Sequence, residues 1–306
     1  MYKNLNAAAL GVSGRQSEII ELTLTYGFAG MDVDMRDLLT RTRSKGVEQA
    51  CRFIASANTE IGGFELPISL AGDDAAFQNN LAKLVPVGEI AQAIGAKRCL
   101  VTLDPASDEL PYHENFERHR TRLASVAESL AKNDIRLGIG FDASITRRKD
   151  RRFQFIQKFE ELLTLIKSVG GNNVGLLLDT WHWHLGGGGT DQLRELGAAK
   201  IVAVRLADVA EEADQSEPKP SDRVLPRKDS QIINVTSLLR MLLVDEYDGP
   251  VTPWPSPSRF RGMTRESIVQ GARDCLETQW IELGLSEPKP VLTVAADLQD
   301  EPSETS

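Results

Sequence analysis

Residues Val174–Gly189 read VGLLLDTWHWHLGGGG, and this stretch decides the fold. Its first five residues are apolar or glycine, the composition of a strand buried on both faces. The chain then turns abruptly to Asp179, Trp181, His182, Trp183 and His184 before a run of glycines that no regular element favours. Two of the four histidines and two of the four tryptophans fall in this WHWH run. An apolar strand that delivers a carboxylate and imidazoles at its carboxyl end is how α/β proteins build sites.

Working outward, strand-like and helix-like segments alternate. The pattern predicts strands at Asn6–Val12, Ala29–Val33, Gly63–Pro67, Arg98–Leu103, Ile135–Phe141, Val174–Leu178, Ile201–Leu206 and Pro250–Thr252. Helices are expected at Gln16–Tyr26, Lys45–Asn58, Ala75–Ile94, Glu114–Lys132, Arg151–Val169, Asp191–Leu196, Val235–Val244 and Met263–Leu283. Eight strands, each followed by a helix, predict an α/β fold closed as a (β/α)8 TIM barrel over residues 1–285. No strand runs into a GxGxxG turn, which disfavours an open dinucleotide-binding sheet. Residues 286–306 are acidic with Pro and Ser, and the last ten are expected to be disordered, with VLTV a candidate local strand. The polar segment Ala210–Ser230 is long for a connection in a compact domain, which marks it as a functional loop or the remnant of one.

The bulk numbers narrow the function classes. With 41% hydrophobic residues the chain can bury a sizeable core. A net charge of -9 argues against a nucleic-acid partner, whose affinity rests on neutralising phosphates. The three cysteines show no metal-finger spacing, and the N-terminal apolar run is too short for a signal core or a membrane span. A cytoplasmic location without membrane association is the expectation.

In a barrel, the carboxyl ends of the strands converge on one mouth. Here they offer, in turn, Ser13 and Gly14; Asp32 and Asp34; Glu65; Thr102 and Asp104; Gly140, Phe141 and Asp142; Asp179 and His182; Arg205 and Asp208; and Trp254. Asp179 and His182 could begin a metal site, but Gly140, Arg205 and Trp254 carry no ligand for an ion, and a fixed arginine charge opposes one. Asp32, Asp34 and Asp104 read as caps of the turns after them. His113 and His119, around the start of a polar helix, read as surface residues. The basic run SITRRKDRR, Ser144–Arg152, reads as a solvated surface, with phosphate binding the sharper alternative.

These segments closely resemble the xylose-isomerase-like TIM-barrel superfamily of sugar phosphate isomerases and epimerases. The resemblance runs through YGFAGMDVD, SDELPYHENFERHRTRLASVAESLAKNDIRLGIGF, GLLLDTWHWHLGG, KIVAVRLADV, DRVLP and DGPVTPWP, from about Asn4 to Leu285. It implies one divalent ion (Mn, Mg, Co or Zn) held by Glu, Asp, His and Glu, the glutamates also moving the proton between neighbouring carbons. Carried onto this chain, the Asp is Asp179 and the following substrate-side histidine is His182. The first Glu is replaced by Gly140, the metal His by Arg205 and the second Glu by Trp254. LPRKD stands where the family has an LPGxG-like turn. Asp142 is two residues from Gly140, about 6.5 Å further along a strand, so it replaces the missing Glu only with a rearranged loop.

Three readings of the function stay open. In the first, no metal or other cofactor is held, the isomerase chemistry is lost, and the mouth binds a sugar-like ligand or a partner. Asp179 then pairs with Arg205 and Trp254 stacks on the ligand, with Glu65, Asp142, Trp181 and His184 as further lining residues. Trp181 and Trp183 read chiefly as loop packing at the rim, and His184 as exposed. In the second, an active isomerase or epimerase of a ketose or polyol uses His182 or Asp142 as base and Arg205 as electrophile. In the third, a lyase or hydrolase reuses the mouth. A homodimer is expected from the resemblance alone. Four histidines are too few for the three-metal endonucleases of the same superfamily.

Overall fold

The computed structural model describes residues 1–230 and 232–287. Eight strand positions form the sheet: β1 (Tyr2–Leu5), β2 (Gly30–Met31), β3 in two pieces (Glu60–Ile61 and Phe64–Glu65), β4 (Arg98–Leu103), β5 (Arg136–Phe141), β6 (Val174–Asp179), β7 (Ile201–Leu206) and β8 (Pro250–Pro253). Every pairing among them is parallel. Hydrogen bonding runs from Glu60–Ile61 through β2, β1, β8, β7, β6, β5 and β4 to Phe64–Glu65. The two ends of that order are halves of one strand, separated only by Gly62 and Gly63, so the sheet closes on itself as a barrel.

A continuous apolar layer packs between the strands and the surrounding helices. A separate group, Leu100, Leu177, Val202 and Ala203, plugs the barrel interior. All six residues of β6 and all six of β7 are buried, which is why both read as near-continuous apolar runs.

Several boundaries differ from expectation, each for a local reason. The first strand is Tyr2–Leu5, and within Asn6–Val12 the residues Ala8–Leu10 form a 3-10 turn. Asn6 causes this: its side-chain oxygen accepts from the Ala9 amide at 2.9 Å, and Gly11 at φ 74° closes the turn. The helix expected at Lys45–Asn58 is Val47–Ala55, preceded by an unforeseen helix at Met35–Lys45, with Gly46 at φ 78° dividing them. The helix expected at Ala75–Ile94 is two, Asp74–Leu81 and Leu84–Ile94. Pro86 has no amide to give and its ring would strike the carbonyl four residues back, so the chain restarts there. In place of a helix from Arg151, Phe153–Gln154 pairs antiparallel with Ala106–Ser107, and the helix spans Phe159–Val169. The VLTV strand and the disorder expected of the last ten residues lie outside the described residues. Among the described residues no helix is long and apolar enough to cross a membrane.

Candidate functional site

Asp179 ends β6 and caps the short helix Thr180–Leu185, its Oδ1 accepting from the amides of Trp181 (3.2 Å) and His182 (3.3 Å). The WHWH run thus lies within a single short helix, Thr180–Leu185. Thr180 locks it to β7, donating to the Ala207 carbonyl at 2.6 Å and accepting from the Ala207 amide at 2.9 Å. The glycines that follow serve close packing. A Cβ at Gly188 would collide with the Trp183 indole, one at Gly186 would press on the Phe141 ring, and Gly187 adopts φ 68°. Trp181 is 1% exposed, so it is a core residue rather than rim packing, and Trp183 is half-buried.

The second oxygen of Asp179 faces a residue that sequence reading did not single out. The long segment after β7 doubles back, so that Arg223–Val224 pairs antiparallel with Asp208–Val209. This turn carries Arg223 into the mouth, buried at 7% exposure. Its Nη2 donates to Asp179 Oδ2 at 2.5 Å, its Nε donates to the Trp254 carbonyl, and its guanidinium lies 5.7 Å from the Trp181 ring centre. The expected pair of Asp179 with Arg205 is therefore corrected to Asp179 with Arg223. Burial alone would raise the Asp179 carboxyl, but the facing Arg223 and its neighbours outweigh that and hold it below the ordinary value. The available signal was DRVLP itself, a buried-type dipeptide inside an otherwise polar loop.

Arg205 spans the barrel in another direction. It sits on β7 in register with Asp179 of β6 and Thr252 of β8. Its guanidinium reaches across the mouth to pair with Glu65 on β3 and to donate to Thr102 Oγ1 on β4 at 3.3 Å. It lies over the Trp254 ring, 3.7 Å from the ring centre. Arg205 is 5% exposed, and its Nε has no hydrogen-bond partner among the described residues.

His182 and Asp142 meet on the β5 side. The Ala143 amide donates to His182 Nδ1 at 3.1 Å, so the ring proton is on Nε2. Burial lowers the His182 pKa further than the facing Asp179 and Asp142 raise it, with Arg223 and Arg205 also lowering it, which leaves a neutral imidazole. Asp142 Oδ1 stands 3.6 Å from His182 Nδ1 and accepts from Ser144 Oγ at 2.5 Å, while Oδ2 pairs with Arg147 at 3.3 Å. Neither Asp142 nor His182 is free to act as an unencumbered base. Gly140 leaves little room: a Cβ there would lie 3.2 Å from Leu177 Cδ2 and 3.3 Å from its carbonyl oxygen. His184 is half-buried, which lowers its pKa, and lies off this constellation. Asp34 caps a helix as expected, accepting from the Arg36 and Asp37 amides. Asp104 pairs instead with Arg147, and Arg151 with Asp108, so two of the basic run's arginines are already neutralised. His113 is exposed, but His119 is half-buried against Phe155 rather than a surface residue.

The open space of the mouth lies on its other side. A cavity of about 1050 Å³ is lined by Asn6, Asp32, Glu65 and Thr102, by the charged rim Asp34, Arg36, Asp37 and Arg41, and by apolar residues between Ala7 and Leu100. Asp32 is held at 2.8 Å by the amide groups of both Asn4 and Asn6. Burial drives its carboxyl up, against those hydrogen bonds and the nearby Arg205, to a pKa of about 6. Sequence reading saw Asp32 only as a turn cap.

This donor set does not suit a divalent ion. Among the described residues no three His, Cys, Asp or Glu side chains gather closely enough to hold one. Asp179 is already engaged at both oxygens by an arginine and two amides, and a second guanidinium, Arg205, stands on the neighbouring strand in register with it.

The model of the family described as xylose isomerase-like TIM barrel matches residues 20–279. The chain belongs to that family. Among curated relatives it is 25% identical over 272 residues to a 3-dehydroshikimate dehydratase of Pseudomonas putida, covering 88% of this chain and 40% of that one. The chain spans about two-fifths of the length of the curated relatives it matches. A xylose isomerase domain protein from Alicyclobacillus acidocaldarius has the same fold, with a TM-score of 0.81 at 24% identity, covering 93% of this chain and 99% of that one. The IolI protein, solved with a bound zinc atom, superposes with a TM-score of 0.74 at 16% identity, over 93% of this chain and 98% of that one. In this chain Asp179 is paired with Arg223, and Arg205 spans the mouth to Glu65.

Proposed function

We propose that the mouth works without a metal ion or other cofactor, as a binding site for a sugar-like, oxygen-rich small molecule, and that the family's metal-dependent proton transfer has been lost. The observation that carries this is the double replacement of a bound cation by fixed ones: Arg223 on Asp179, and Arg205 across to Glu65. A guanidinium in each place supplies positive charge that neither leaves nor exchanges. The cavity volume of about 1050 Å³ suits a small polar ligand. The similarity to a 3-dehydroshikimate dehydratase over most of the chain supports a compact oxygenated carbon skeleton as the ligand class.

A second reading, metal-free acid–base chemistry, is favoured by one observation. Asp32, with its carboxyl pushed up to about 6, borders the cavity and is better placed than His182 to exchange a proton near neutrality. In either reading the protein acts in the cytoplasm, without nucleic acid or membrane, as a homodimer of like barrels.

Calorimetric titration with Mn²⁺, Mg²⁺, Co²⁺ and Zn²⁺ tests the first reading. No saturable binding below millimolar concentration is expected. Stoichiometric binding that disappears in Asp179→Asn contradicts it. Turnover of ketoses or their phosphates that survives chelation and fails in Asp32→Asn selects the second reading.

A further inference from the structure

We propose that Arg205 is a carboxylate-binding residue, that Glu65 occupies its place in the resting chain, and that a small polyhydroxy carboxylate binds by displacing Glu65. The inference rests on the metal-free reading of the mouth and names the ligand class that such a mouth selects.

The two partners of this ion pair are unequal. The Arg205 side chain is 6% exposed, whereas that of Glu65 is 55% exposed. The cation is built into the wall, flat against Trp254 and tied to Thr102, and cannot leave without exposing a buried indole face. The anion sits at the rim, and among the described residues Arg205 is its only hydrogen-bond partner. Swinging Glu65 outward returns a carboxylate to water at little cost. It also bares a desolvated guanidinium that keeps an unpartnered Nε–H.

What it bares that guanidinium to is the cavity. Both residues that grip Arg205 from below, Glu65 and Thr102, line the space of about 1050 Å³. An incoming carboxylate would take over the hydrogen bond that Glu65 now accepts from Arg205, in the planar geometry a guanidinium prefers. The rest of the lining selects the remainder of the ligand. Asp32 and Asn6 present acceptors and an amide on the same side, which suits hydroxyl groups. Asp34 and Asp37 also face this space, but Arg36 and Arg41 stand beside them and Arg41 pairs with Asp37 at 2.7 Å, so the rim adds no net charge and Arg205 alone sets the preference for an anion. A planar carboxylate for the guanidinium, with several hydroxyls for Asp32 and Asn6, is the chemistry that fits.

Because Glu65 competes for the same guanidinium, it lowers apparent affinity by the fraction of chains in which the pair is closed. Titration calorimetry with D-gluconate, with sorbitol and inorganic phosphate as controls, tests this on the wild-type chain, Glu65→Gln, Glu65→Ala and Arg205→Met. Gluconate is expected to bind Glu65→Gln and Glu65→Ala about tenfold or more tightly than wild type, with no such gain for sorbitol or phosphate, and not to bind Arg205→Met. The proposal is overturned if neither Glu65 variant gains, if sorbitol gains equally, or if Arg205→Met retains gluconate. The metal titration reads the metal-free mouth separately, so a blank there with no gain here removes this inference alone.

Discussion

The two halves of the barrel mouth solve the same electrostatic problem in opposite ways. On the β5–β8 side, Asp179 is buried and met by Arg223, the backbone amides of its own helix and the wall of Trp181. On the β1–β4 side, Asp32 and Glu65 border a large cavity, and Asp32 is held only by neutral amides. The first half is locked by a buried ion pair and helix amides, while the second borders open space with a carboxyl pushed up to about 6. Arg205 belongs to both, rooted in β7 and reaching to β3. Neighbouring carboxylates in one mouth can therefore carry different duties, set by whether a guanidinium or a solvent-filled space faces them.

The largest effect expected from this contrast is on the closed side. Arg223→Ala leaves the Asp179 carboxylate buried without its partner, and should cost about 3–5 kcal/mol in urea unfolding. Asp179→Ala in the same background should recover part of that loss, because the stranded charge is then gone. Equal and additive losses would mean that the two residues do not act as a pair.

Next comes the packing of the glycine run. Gly188→Ala drives a Cβ into the Trp183 indole and should destabilise by about 1–3 kcal/mol, read in the same unfolding experiment. On the open side, Arg205→Met should cost no more than about 1 kcal/mol, since the released Glu65 reaches water and the buried Nε loses its unmet donor. A loss for Arg205→Met as large as that for Arg223→Ala would erase the distinction between the halves.

The smallest effect is the most direct measure of the two environments. Carboxyl carbon NMR should show Asp32 titrating near pH 6 and Asp179 below the ordinary aspartate value. The signs for stability follow. Asp32, raised in the fold, favours the folded state most at low pH, and that contribution fades as pH rises from its unfolded value through about 6. Asp179, lowered in the fold, contributes above its unfolded value and loses that contribution as pH falls through its folded one. Coincident titrations would contradict the contrast.

The barrel was legible in the sequence because β5 to β7 are fully or mostly buried, and burial on both faces writes itself as apolar runs. Its first strand was not, because Tyr2–Leu5 carries Lys3 and the inward Asn4, while the apolar Ala7–Leu10 beside it is turned by the Asn6 side chain. The placement of Gly140, Arg205 and Trp254 at or just beyond strand ends could be read directly. Their partners could not. Arg205 finds Glu65 across 140 positions of sequence, and Arg223 reaches Asp179 only because an irregular loop folds back on β7. Long-range pairs made by loop residues leave no periodicity to read.

Elemental analysis of the protein purified without added metal, repeated after incubation with Zn²⁺ and desalting, tests the central claim most directly. The account predicts far less than one ion per chain in both samples, with the Arg223–Asp179 pair intact. One tightly held ion per chain, lost on Asp179→Ala, would contradict it.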